Sequence, residues 1–144
     1  MPKGAGKRKK GARKAAPAAA SYMVFISHSS SEKWIARQIS KEIKALGAET
    51  WLDEKDIKGG DVWPDKIMQG IDACQEGLVL VSAKSVMSWW VAYEIGALRG
   101  QRKIVTPILN DVDVKTMGSI KDVQAIDLNE FEKFLEQLKV RLNS

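Results

Sequence analysis

Leu78-Val79-Leu80-Val81-Ser82 is an unbroken apolar run ended by a hydroxyl residue. A strand with one face in water alternates apolar and polar side chains. A run without alternation predicts a strand covered on both faces, as in a parallel sheet flanked by helices. Tyr22 to Ser27 (YMVFIS) has the same character and predicts the opening strand, with Glu49 to Asp53 (ETWLD) as the second. Ile104 to Leu109 predicts a fourth, which tolerates Pro107 only near an edge or bulge, and Ala125 to Leu128 a short fifth.

Helical spacing fills the intervals. Trp34 to Leu46 carries Ile35, Ile39, Ile43 and Leu46 on one stripe, with Gly47 as its stop. Pro64 suits the first turn of a second helix with Ile67, Ile71 and Cys74 inward. Ser88 to Arg99 predicts a third helix, and a fourth runs from about Phe131 with Phe134, Leu135, Leu138 and Leu142 on its inner face. Ser29 with Glu32, and Asn129 with Glu132, have the spacing of capping boxes. Strands alternating with helices predict an α/β domain: a five-stranded parallel sheet with helices on both faces and right-handed crossovers. Ligands of such sheets bind beyond the C-terminal strand ends, which here are Ser27 to Ser31, Asp53 to Trp63 and Ser82 to Glu94.

The chain has 144 residues, enough for one hydrophobic core, and its 44% hydrophobic and 28% charged content is that of a globular protein. No apolar run approaches the roughly 20 residues that cross a bilayer. The net charge of +5 is unevenly placed: seven of the 23 basic residues and none of the acids lie in the first twenty positions. Residues 1–20 therefore predict a disordered basic tail, and 21–144 a domain with 16 basic and 18 acidic residues that attracts phosphate backbones little. The tail itself is a place where nucleic acid or an anionic surface could bind, although a role in solubility explains it equally. Its Ala-rich end is broken by Pro17 and lacks the apolar core of a signal peptide, so the expected location is cytoplasmic. A single cysteine, Cys74, and a single histidine, His28, leave no internal disulfide and argue against a structural zinc site.

Residue chemistry excludes several common uses of this architecture. The first strand-helix turn has no glycine, so dinucleotide and Walker phosphate loops are absent, and there is no Gly-x-Ser-x-Gly elbow. A phosphate-accepting receiver would need acids where Ser27-His28 and Ser82-Ala83 stand. What remains is Glu94, the one charge inside an otherwise apolar helix, with Trp90 one turn before it and Ser88 at the helix start. Residues four apart share a helix face, so Trp90 and Glu94 can line one pocket. Spacing alone leaves an ordinary helix glutamate and packing tryptophans as an equal alternative. His28 reads more simply as a turn residue bound to a carbonyl than as a base. Ser27, Ser29 and Ser30 read as turn and cap residues at a helix start that could also hold a diphosphate, and Cys74 as a core residue.

Three segments in order resemble the TIR (Toll/interleukin-1 receptor) domain family. The first is Val24-Phe25-Ile26-Ser27-His28-Ser29-Ser30. The second is Trp51-Leu52-Asp53, followed by Asp56 to Asp61 and Trp63, similar to the family's second strand and BB loop. The third is Val79 to Ser82, then Ser88-Trp89-Trp90-Val91-Ala92-Tyr93-Glu94, similar to its Ser-x-Trp-x-x-x-Glu helix. The resemblance covers residues 22 to about 142 and implies a flavodoxin-like three-layer sandwich. It implies NAD+ as a substrate, with no separate cofactor or metal, and Glu94 as the catalytic residue. Phe25, Ser27, His28, Asp53, Trp63, Ser82 and Trp90 are the implied substrate-binding positions, Asp53 being also a candidate to hold the BB loop by an Asx turn.

The implied function is cleavage of the nicotinamide-ribose bond to give nicotinamide with ADP-ribose or a cyclic isomer, of the kind found in bacterial antiphage defence or immune signalling. Self-association through TIR-TIR contacts is expected to control it, and the lack of a sensor region in this chain favours a separate sensor or effector protein. Family members that act as non-catalytic scaffolds supply the alternative.

Overall fold

The computed structural model describes residues 21–52, 63–113, 115, 120 and 122–144. The basic tail, Asp53 and the rest of the 53–62 loop lie outside the described residues, as do the side chains of Trp63 and Pro64. The strands are β1 (Met23–Ser27), β2 (Glu49–Leu52), β3 (Glu76–Val81), β4 (Ile104–Leu109) and β5 (Ile126–Asp127). The helices are α1 (Lys33–Ala45), α2 (Trp63–Ala73), α3 (Trp89–Gly100) and α4 (Glu132–Leu142). The five strands form one sheet in the order β2-β1-β3-β4-β5, and every neighbouring pair is parallel. No described helix is long and apolar enough to cross a membrane.

Strand geometry sorts the core into two layers. Val24, Ile26, Leu78 and Leu80 point to one face, where Ala36, Ile39 and Ile43 of α1 and Phe134 and Leu138 of α4 cover them. Phe25, Val79 and Val81 point to the other, beneath Ile67 and Ile71 of α2 and Val91, Ile95 and Leu98 of α3. All six residues of β3 are buried, as its lack of alternation requires. The expected α1 stripe narrows: Ile39 and Ile43 are buried, while Ile35 and Leu46 lie at its margin. Gly47 ends the helix at φ +99°, a left-handed conformation that costs glycine little.

Pro107 sits inside β4 rather than at a bulge, opposite Val79. Because the Asn110 N–H reaches back to the Val81 carbonyl, alternation turns the Pro107 nitrogen to the other side of β4. There β5 pairs only with Ile108 and Leu109, so no ladder bond is lost. Neither capping box forms. Ser29 makes no side-chain cap bond, because Glu32 is turned inward at the end of a short 3-10 turn. At α4 the Asp127 carboxylate takes the Asn129 N–H, an arrangement that starts a 3-10 turn ahead of the helix.

Two features tie the layers together. Trp51 stacks on Phe25 with ring centroids 5.2 Å apart, and Gly70 of α2 makes room for it: a Cβ there would lie 2.5 Å from Trp51 Cδ2. At the opposite edge from the strand C-termini, the Glu76 carboxylate is fully buried and takes two bonds from Arg141 of α4, at 2.7 and 2.8 Å. Tyr22 donates its hydroxyl to the same carboxylate. The guanidinium also lies over the Phe134 ring, 5.8 Å from its centroid.

Gly70→Ala should push Trp51 off Phe25 and destabilise the domain by about 1–3 kcal/mol, read by urea unfolding with near-ultraviolet dichroism following the tryptophan. Arg141→Ala leaves Glu76 buried without its cation and should cost on the order of 3 kcal/mol, while Glu76→Leu combined with Arg141→Leu should recover most of that loss. The Tyr22 hydroxyl is pushed up from 10.0 to about 12, first by burial and then by Glu76. The folded state therefore keeps this proton where an unfolded tyrosine has lost it. Its stabilising effect is full below about pH 10 and is lost as pH rises toward about 12. Tyr22→Phe should flatten the alkaline limb of a stability–pH curve.

Candidate active site

The strand order reverses between β1 and β3, whose chains leave to opposite faces of the sheet, and beyond the C-terminal ends of two such strands lies the crevice position where sheets of this kind bind ligands. Ser27 ends β1, and being on the Phe25 side of the strand it faces α3. Glu94 comes from the middle of α3 and is turned inward, fully out of contact with solvent. The two meet: Ser27 Oγ donates to Glu94 Oε1 at 2.6 Å, within the range of a strong hydroxyl-carboxylate bond, and Ser27 is itself fully buried.

The start of α3 is set by serines. Ser88 is its N-cap, its hydroxyl accepting the Val91 N–H at 3.2 Å. Ahead of it, the Ser82 N–H donates to Ser85 Oγ at 2.7 Å and the Ser88 N–H to the Ser85 carbonyl at 3.0 Å. Ser82 Oγ in turn donates to Glu32 Oε1 at 2.8 Å. Glu32 also accepts from Ser29 Oγ at 2.9 Å and, on Oε2, from Asn110 Nδ2 at 3.1 Å. Its carboxylate thus joins the turn after β1 to the ends of β3 and β4.

The expected site residues separate into groups. Ser27 and Glu94 are in direct contact, and Ser82 stands at the end of the neighbouring strand. His28 is 3% exposed and faces the Ser29 carbonyl through Nδ1 at 2.8 Å; a carbonyl only accepts, so Nδ1 carries the proton. Phe25 is fully buried with its face against Trp51. Trp90 is half-buried, its ring stacked on Tyr93 at 5.6 Å and edge-on to Trp89. Trp63 opens α2, and Asp53 lies outside the described residues. Glu32 and Asn110 were hidden from sequence reasoning: Ser-x-x-Glu looks like a cap, and nothing in an asparagine after a strand announces its partner 78 residues away. Among the described residues no cluster of His, Cys, Asp and Glu is placed to hold a metal ion.

Chemically, the site holds a carboxyl group at a fixed depth, bound by a hydroxyl, with Trp90 one turn before it on the same helix. Such a group can stabilise positive charge or accept hydrogen bonds from sugar hydroxyls.

The chain is 28% identical over 129 residues to the 2′ cyclic ADP-D-ribose synthase BtTIR of Bacteroides thetaiotaomicron, a match covering 82% of this chain and 45% of that protein. It is 28% identical over 103 residues to the NAD(+) hydrolase TcpC of Escherichia coli O6:H1, covering 67% of this chain and 34% of that one. The chain thus spans less than half the length of these relatives. In fold it is similar to the TIR domain of the Toll-related receptor TRR-2 from Hydra magnipapillata, with a TM-score of 0.67 at 16% identity over 84% of this chain and 98% of that one. The family model for the TIR domain matches residues 24–139, the span from β1 through most of α4, and the chain belongs to the TIR domain family.

Proposed function

We propose that this chain is an NAD+ nucleosidase that breaks the nicotinamide-ribose bond, with Glu94 as its catalytic residue. The observation that carries the reading is the buried Glu94 carboxylate, held by Ser27 at 2.6 Å beside the β1/β3 crevice. The names of the two bacterial relatives, one an NAD(+) hydrolase and one a cyclic ADP-ribose synthase, support the same substrate.

The chemistry suits a single carboxylate. Nicotinamide leaves a pyridinium cation as a neutral molecule, so no general acid is required, unlike ordinary glycoside hydrolysis. The charge that develops on the ribose is positive, and a carboxylate stabilises it while accepting hydrogen bonds from the ribose hydroxyls. Ser27 orients the carboxylate, and Trp90 offers a flat face to nicotinamide or ribose. His28 and Ser82 stand at the two strand ends, and Asp53 and Trp63 are further candidates for contact with the substrate. Water capturing the cation gives ADP-ribose, and an internal hydroxyl or base nitrogen gives a cyclic isomer.

Because Glu94 has no solvent contact, its surroundings must part before it touches a ribose. Turnover is accordingly expected to depend on assembly of TIR domains, in keeping with a role in antiphage defence or immune signalling beside a separate sensor or effector.

Nicotinamide release from the full chain should be measured by chromatography at rising protein concentration and with a crowding agent. Wild type should be active, Glu94→Ala and Glu94→Gln should lose about 100-fold or more, and Ser27→Ala about tenfold. Equal release from wild type and both Glu94 variants would exclude Glu94 chemistry. Self-association without any nicotinamide release would establish a scaffold in place of an enzyme.

A further inference from the structure

We propose that Glu32 is a positioning residue of this active site, fixing where α3 begins and so the depth at which Glu94 is presented. The inference rests on the nucleosidase reading for its kinetic consequences and on hydrogen-bond geometry for its structural ones.

Glu32 is 7% exposed and lies in the 3-10 turn between β1 and α1. Its described donors come from three separate crevice elements: Ser29 from the turn after β1, Ser82 from the end of β3, and Asn110 from the end of β4. Two routes run from it to the Ser27–Glu94 pair. One is short, since Ser29 lies two residues beyond Ser27. The other passes through Ser82 to Ser85 and on to Ser88, which caps α3 by accepting from Val91, three residues before Glu94. One carboxylate therefore brackets both partners of the 2.6 Å bond.

The residue type fits this task. A carboxylate only accepts, so both oxygens can receive donors, and three donors converge here. Alanine removes the acceptor of all three, and of these Ser82 is buried while Ser29 and Asn110 are partly exposed. Glutamine can keep its oxygen on Ser29 and Ser82, with its amide nitrogen facing Asn110 once that side-chain amide turns to present its oxygen. Glutamine should therefore rescue what alanine loses. A residue that merely stabilised the fold would lower melting temperature without moving the catalytic step or the start of one particular helix.

The experiment compares the full-length wild type with Glu32→Ala, Glu32→Gln and Ser82→Ala, all kept well below their melting temperatures. It measures steady-state nicotinamide release, amide hydrogen exchange, and the carbon-13 carboxyl resonance of Glu94, assigned by its absence in Glu94→Gln. Glu32→Ala should lower kcat by about tenfold to 100-fold while KM changes less than about threefold. Amides from Ser85 to Val91 should exchange about threefold to tenfold faster, and the Glu94 resonance should shift. Glu32→Gln should restore all three, and Ser82→Ala should reproduce the faster exchange. A folded Glu32→Ala protein with wild-type kcat, or with wild-type exchange over Ser85 to Val91, overturns the proposal. If Glu32→Ala does not fold, wild-type exchange in Ser82→Ala overturns it equally. If the wild type releases no nicotinamide, the nucleosidase reading fails by itself, and exchange with the Glu94 resonance decides the positioning.

Discussion

A parallel sheet closed on both faces gives its central strands no water, so every polar group there must find its partner within the protein. Both ends of β3 obey this constraint. At its start Glu76 is fully buried, and at its end the chain passes into Ser82 and the turn that launches α3. Each end is held by a carboxylate, but the two are satisfied differently. Glu76 meets a guanidinium, which neutralises it and fastens α4 across the N-terminal ends of β1 and β3. Glu32 receives hydroxyl and amide donors, so its described partners are neutral and its charge is oriented rather than cancelled. A cation-paired carboxylate is a structural fastener. A carboxylate held by hydroxyls keeps its negative potential for whatever approaches.

The same contrast explains why the two ends of the sheet have different tasks. The Arg141 pair is bidentate, backed by an aromatic ring and joined by Tyr22, an arrangement that costs much to open. The crevice end is built of hydroxyl and amide donors, each making a single bond to a carboxylate, with no cation among the described partners of Glu32. Exposed apolar side chains stand near this end as well. Trp89 is 67% exposed and Met87 84%, apolar surface at the start of the helix that carries Glu94.

How much of this was readable in the chain depends on the range of the interaction. The buried character of β3, the alternating order of strands and helices, and the stop at Gly47 are local signals, and all appear in the structure. Glu94 was legible because one charge in an apolar helix is anomalous wherever that helix packs. Ser27 was legible as a strand-end residue, but its partner 67 residues away was not. The Ser29–Glu32 capping box failed for a physical reason: the same Ser-x-x-Glu spacing serves a cap when the glutamate curls back on its own helix, and a tertiary bridge when a serine from another strand competes for it. Glu32 had Ser82 and Asn110 within reach, and the tertiary donors won. Glu76 was missed because strand β3 was read from Leu78, and a charged residue followed by glycine does not suggest a strand. The facing Arg141, 65 residues on, together with Tyr22, makes that position tenable.

Glu94 itself breaks the pattern of its helix at a cost. Burying a carboxylate is unfavourable unless hydrogen bonds replace its water, and α3 would pack against the sheet without penalty if an apolar residue stood there. Its neighbours on the inner face, Val91, Ile95 and Leu98, show what packing alone selects. The hydroxyl at Ser27 is equally out of place at the end of an apolar strand, yet each residue supplies what the other lacks. Two local exceptions to the folding rules, far apart in sequence and 2.6 Å apart in space, are hard to account for by stability, since an apolar pair of similar volume would fill the gap with less desolvation. Retaining a buried carboxyl group where ligands of this fold bind is accounted for if that group acts on a ligand.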